Sequence, residues 1–169
     1  MKTFLPLLLS AIYTPTALSQ EAPLTDSSPY DPAILLTNLE SQRSAWNTYS
    51  IKEYSYDYER KCACPPTFTG PFRITVRDGV VYSVQHTLAD LVGEPVPAGF
   101  EIMCVDGMFD FLYRTLNKPP EAMPAGLNVT YDAVYGFPSS IKVDELAQIA
   151  DEIEYKIDSF AIDTNLAGQ

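Results

Sequence analysis

The sequence predicts an α+β fold: one two-layer domain with a mostly antiparallel sheet of about six strands and two helices. Three observations predict it. Residues Tyr54 to Cys64 alternate in strict period two, with Tyr54, Tyr56, Tyr58, Arg60, Cys62 and Cys64 on one face. Two stretches near Leu35 and Leu112 carry apolar residues at helical spacing. The remaining apolar runs are short, alternate, and are joined by brief turns, which favours antiparallel pairing with helices on one face.

The chain has 169 residues, the length of one domain. Residues 1–19 read as a signal peptide, with Lys2, an apolar run from Phe4 to Ile12, and Ala17-Leu18-Ser19 at the cleavage site. The run is shorter than the ~20 apolar residues a membrane span needs, and no later stretch reaches that length. The mature chain is therefore expected in the extracellular space or the periplasm. Residues 20–31 read as a flexible leader, 32–162 as the single domain, and 163–169 as a polar tail.

Asp31-Pro32 starts the first helix, with Asp as the cap and Pro at the first helical position. Leu35, Leu39, Gln42 and Trp46 form its buried stripe, and it ends near Tyr49. The first strand is expected from Lys52 to Cys64. On it, Arg60 is either an anion clamp or, the favoured reading, a snorkelling side chain paired with an acid at the core edge. Phe72, Ile74 and Val76 form the second strand. Val80, Tyr82, Val84 and His86 return on the same face, which favours a three-residue loop with Gly79 left-handed over a two-residue Asp-Gly turn. Residues 88–100 are a long connection. Val105, Phe109, Leu112 and Leu116 mark the second helix, with Cys104 at its start and Pro119-Pro120 beyond its end. Leu127, Val129 and Tyr131 form a strand, Ile141 and Val143 the next, and Ile153, Tyr155 and Ile157 the last, after an acidic connector from Asp144 to Asp151.

In this order the landmarks resemble an uncharacterised family of small exported proteins, a domain of unknown function. They are Tyr54-x-Tyr56, Arg60-x-Cys62-x-Cys64-Pro65, Gly70-Pro71, Val76-Arg77-Asp78-Gly79, Val105-Asp106-Gly107-Met108-Phe109-Asp110, Val129-Thr130-Tyr131-Asp132, and Tyr135-Gly136-Phe137-Pro138-Ser139-Ser140-Ile141, then Asp144 and Asp151-Glu152-Ile153-Glu154-Tyr155. The resemblance runs from Trp46 to about Phe160. It implies an exported single domain and carries over no catalytic or binding residue. Where the family pattern usually has a threonine capping the second helix, this chain has Cys104, so the family's Cys-x-Cys pair gains a third thiol.

The net charge of −11 becomes about −12 without Lys2 and argues against nucleic acid and anionic membrane surfaces as partners. His86 is the only histidine. That excludes a multi-histidine metal site and makes a Ser-His-Asp triad hard to build. No nucleophile motif, phosphate loop or cofactor motif occurs, so a non-enzymatic module that binds a protein or envelope component is the leading expectation, and no cofactor is expected.

The disulfide candidates are Cys62, Cys64 and Cys104. Three thiols in an exported chain leave one unpaired, or form a disulfide-linked dimer; a monomer is favoured. On an extended strand the Cα atoms of Cys62 and Cys64 would lie about 6.5–7 Å apart, at the limit for a bridge, so a direct pair needs a kink, which Pro65 could supply. A bridge from either one to Cys104 would instead close about 40 residues and add ~3–4 kcal/mol. Two sharper alternatives use the same thiols. Cys62, Cys64, Cys104 and His86 would together make a soft-metal site for zinc or cuprous copper, if all four converge. Cys104 at a helix start would favour its thiolate and suit thiol–disulfide exchange.

Asp106 and Asp110 share a helix face, and are read as answering the helix dipole rather than as paired catalytic acids. Asp144, Glu145, Asp151, Glu152 and Glu154 lack the spacing of a calcium loop and read as a solvated edge. Asn128-Val129-Thr130 is a glycosylation sequon, with Asn128 on the outward face. Tyr82, Tyr135 and Phe137 would form a recognition patch if the hairpin tips gather.

Overall fold

The structure, a computed structural model, describes residues 30–97, 100, 102–146 and 152–163. The expected signal peptide, most of the expected leader and tail, and residues 147–151 of the acidic connector lie outside these residues. Helix α1 spans Pro32–Tyr49. Strands β1 (Tyr54–Lys61), β2 (Phe72–Arg77) and β3 (Val80–His86) follow, then helix α2 (Val105–Leu116), then β4 (Gly126–Tyr131), β5 (Pro138–Asp144) and β6 (Glu152–Ile162). The six strands form one open sheet in the order β3-β2-β1-β6-β5-β4, with every pairing antiparallel. Each half is a helix followed by a meander, and the halves join where the first strand pairs with the last.

The start of α1 follows its sequence. The Asp31 carboxylate accepts the Ala33 and Ile34 N–H groups at 2.9 and 3.3 Å, satisfying two of the orphan donors of the first turn. The helix ends at a left-handed Ser50, φ 51°. Leu39 and Trp46 are buried, as the stripe requires.

Three expectations are corrected. β1 stops at Lys61, so Cys62 and Cys64 lie in a bend beyond the ladder rather than on the strand. The β2–β3 turn has two residues, not three: Arg77 faces Val80 in register. Asp78 and Gly79 both have positive φ, 50° and 75°, as a type I′ turn demands. Val81 therefore points inward, as a two-residue turn dictates. A bulge then sets Val81 against Val76 and Ser83 against Thr75, leaving Tyr82 as the extra residue. That bulge restores the parity, so Val84 and His86 still face the core side. The last strand also runs beyond Ile157 to Ile162. Its extra residue opposite Ser55–Asp57, at the left-handed Ser159, brings Phe160 inward beside Ile157.

The core lies between the helices and the inner sheet face. Tyr54, Tyr56, Tyr58, Phe72, Ile74 and Val76 are each at most 1% exposed, so β1 and β2 form its floor. Two β1 phenols also position α2. The Tyr54 hydroxyl accepts the Val105 N–H at 2.9 Å, and the Tyr56 hydroxyl donates to the Met103 carbonyl. These bonds satisfy backbone groups at the buried start of α2, where Cys104 supplies no side-chain cap.

Burial raises both phenol pKa values well above their usual 10. For Tyr54 the bond from Val105 opposes that shift, while Cys104 and Asp106 add to it; for Tyr56 the neighbouring Tyr54 and Tyr58 add to it. Because the folded values exceed the unfolded ones, this contribution to stability is whole below pH 10 and disappears as pH climbs through the folded values. With two such groups, unfolding free energy falls by about 2.7 kcal/mol per pH unit above pH ~10. Urea titrations across that range should show the slope, and ultraviolet absorbance should show two phenols ionising only as the chain unfolds.

The outer sheet face is polar and charge-paired. Arg73 forks onto Asp57, with Nε–Oδ1 at 2.9 Å and Nη2–Oδ2 at 3.0 Å. Lys61 meets Glu154 at 3.2 Å, Lys142 meets Glu152 at 3.6 Å, and Lys156 meets Asp158 at 2.7 Å. Burial pushes the Glu154 carboxyl up, but the bonds from Lys61 and Ser140 and the charges of Lys61 and Lys142 outweigh it, leaving its pKa lowered.

Candidate functional site

Three features bear on function: the cysteines, the buried histidine, and the groove beside β3. The bend after β1 brings the Cys62 and Cys64 Cα atoms to 5.2 Å, well inside the range of a disulfide-linked pair. Cys104 is free and half-buried at the start of α2. It cannot reach the pair. Its neighbour Val105 meets Tyr54 at the beginning of β1, while Cys62 follows the end of that strand. The eight residues of β1 span roughly 25 Å at strand rise. A bridge from Cys104 to either of the other cysteines is therefore not formed.

The proposed convergence of Cys62, Cys64, Cys104 and His86 on a metal fails for the same reason. Among the described residues no three histidine, cysteine or acidic side chains are grouped to hold an ion. His86 is 3% exposed, with its ring 4.4 Å from that of Phe72. Among the described residues neither of its ring nitrogens has a hydrogen-bond partner.

Among the described residues Arg60 is held by rings, with no acid paired to it. Its guanidinium lies 5.9 Å from the Phe100 centroid and 5.8 Å from that of Tyr155, a cation–π arrangement. The helix acids are also occupied. Asp106 accepts the Trp46 indole N–H at 3.2 Å and faces Lys52 at 3.6 Å, and Asp110 pairs with Arg43 at 2.7 Å. Both link α2 to α1, and Asp106 also stands in the first turn of α2, where the helix dipole favours an acid. Asn128 is exposed on β4, opposite Lys142, so the sequon is accessible.

The expected aromatic patch does not assemble. Phe137 is buried, and Tyr135 packs on Tyr49 and Phe160. Tyr82 stands alone on the other half of the sheet, 62% exposed, with the Arg77 guanidinium 3.9 Å from its ring centroid.

Sequence reasoning missed the groove. A hollow of about 440 Å³ runs between the first residues of β3 and the outer side of α2. Val80, Val81, Ile102 and Met103 form its apolar wall, and Asp110 and Arg114 its polar rim. β3 is an edge of the sheet, and its sequence VVYSVQH holds no lysine, acid or proline. Edge strands commonly carry such residues to prevent pairing. The signal was present in the missing lysine, acid and proline, but only the strand order reveals that β3 is an edge.

A family model described as a family of unknown function, DUF6174, matches residues 38–162. The chain belongs to this family. The match takes in α1 from its second turn, all six strands and α2, so the DUF6174 unit is the two-layer domain itself. No curated protein matches the chain, and no solved structure matches it. Both the cysteine bend and the β3 groove lie within the DUF6174 match. Among the described residues no helix is long and apolar enough to cross a membrane.

Proposed function

We propose that this DUF6174 chain is an exported, non-enzymatic recognition module that captures an extended, cationic segment of a partner polypeptide along β3. The observation that carries it is an edge strand without lysine, acid or proline beside a groove. Val80 and Tyr82 are exposed by 63% and 62%, and the hollow against α2 can take alternate side chains of an added strand. Strand addition draws affinity from main-chain hydrogen bonds and specificity from such side-chain pockets. The partner's sign follows from charge: a chain of net charge −11 repels a second copy of itself and attracts a basic segment. Export rests on the signal-like residues 1–19 and the cleavage site before Gln20.

The test uses basic peptides of alternating apolar and lysine residues, with acidic versions as controls. Hydrogen exchange of the mature chain should show protection over residues 80–86 on adding the basic set. The double substitution Val80→Lys, Tyr82→Lys should weaken binding about tenfold or more without changing the melting temperature, because both side chains are exposed. Protection elsewhere, equal binding of acidic peptides, or a dimer that buries β3 would overturn the reading.

A further inference from the structure

The pair Cys62–Cys64 sits at the far end of β1 from the groove, in surroundings unlike those of a structural staple. A bridge between them closes a loop of sequence separation 2, the bottom of the loop-closure series, so it removes less entropy from the unfolded chain than a staple across a longer loop would. The flanking ladder is already held: Arg60 N–H donates to the Thr69 carbonyl at 2.8 Å, and Lys61 is tied to Glu154. The bridge ties together no two elements. Both cysteines are only half-buried and Ala63 between them is exposed. Cys62 and Ala63 open on a hollow of about 320 Å³ that Lys61, Lys142, Glu152 and Glu154 also line. Disulfides that solvent can reach are more often labile or catalytic than fully buried staples are.

From this we infer that Cys62-Ala63-Cys64 is a thiol–disulfide exchange site, acting on substrate thiols that reach the bend. A substrate thiolate attacks one sulfur of the pair. The Cys62–Cys64 bond breaks, a mixed disulfide forms, and the displaced cysteine leaves as a thiolate. The substrate's second thiolate then attacks its own sulfur in the mixed disulfide and releases the other cysteine. The substrate loses two electrons and two protons and leaves as a disulfide, and the pair gains them as two thiols. A low-molecular-weight disulfide, such as oxidised glutathione, takes those electrons by the reverse sequence and restores the pair. Cys104, a full strand length away, takes no part.

The experiment follows the mature chain in glutathione buffers, with alkylation and mass measurement reporting the thiol count, and with circular dichroism reporting the fold. The pair should reduce reversibly in millimolar glutathione with unchanged dichroism. In a second arm, substoichiometric protein is added to reduced ribonuclease with oxidised glutathione. A several-fold acceleration of ribonuclease oxidation identifies polypeptide thiols as substrates, whereas exchange with glutathione alone identifies small thiols. Cys62→Ser and Cys64→Ser should each abolish turnover, and Cys104→Ser should retain it. The inference is overturned if the native pair resists millimolar glutathione, if reduction unfolds the chain, or if the serine variants exchange as fast as the parent. None of these outcomes depends on peptide binding at β3.

Discussion

Replacing Trp46 by alanine lowers the unfolding free energy by about 3–5 kcal/mol, the cost of removing a buried aromatic side chain and leaving a cavity. The upper half of that range is expected, because the indole closes a ring cluster. Its edge contacts reach Tyr54 at 5.7 Å, Phe160 at 6.0 Å and Phe137 at 6.1 Å, joining α1 to β1, β6 and the turn before β5. Each such pair adds about 0.5–1.5 kcal/mol beyond area burial. The indole N–H also donates to Asp106, so its loss strips the first turn of α2 of a partner. Trp46→Phe keeps most of the packing and removes only that bond, at about 1–2 kcal/mol. Urea unfolding followed by circular dichroism distinguishes the two. A Trp46→Ala loss below 1 kcal/mol would mean that the cluster repacks and does not tie the halves together.

Gly70→Ala is the second large effect, expected at about 2–5 kcal/mol from left-handed strain together with overpacking. Gly70 has φ +82°, and an added Cβ would meet the Phe72 ring at 2.7 Å and the Tyr58 carbonyl oxygen at 2.8 Å. Phe72 is fully buried and the carbonyl belongs to β1, so neither can move without disturbing the core floor. Gly93 supplies the control. Its φ is +88°, yet among the described residues nothing lies within 4 Å of its Cβ position, so Gly93→Ala is expected to meet the strain alone, about 1–2 kcal/mol. Urea midpoints for the pair isolate the steric part. Equal losses would show that the Gly70 surroundings give way.

Much of the fold was legible because it is written in local pattern. Asp31-Pro32 names its helix start through capping chemistry that needs no distant contact. The alternation of Tyr54, Tyr56 and Tyr58 declares a buried face whatever lies above it. The hairpin shows where such reading stops. Asp78-Gly79 allows both a two-residue and a three-residue loop, and the parity of His86 suggested the longer. The molecule uses the shorter turn and restores parity with a bulge at Tyr82, a compensation between two local irregularities that alternation alone cannot separate. The same holds for Phe160, which an extra residue near Ser159 turns inward.

Composition, charge, the two helices, the six strands and the inward tyrosines were determined by the sequence, because each follows from spacing along a short stretch. The resemblance across residues 46–160 likewise agrees with the family match over 38–162. Only the tertiary structure decided how the strands are ordered, and that order governs every site. It joins β1 to β6, leaves β3 as an uncharged edge beside α2, and puts a strand length between Cys104 and the Cys62–Cys64 bend. The reason is physical. Turn chemistry and periodicity act over a few residues, whereas strand order is settled by which apolar faces can be buried together, a property of the whole chain.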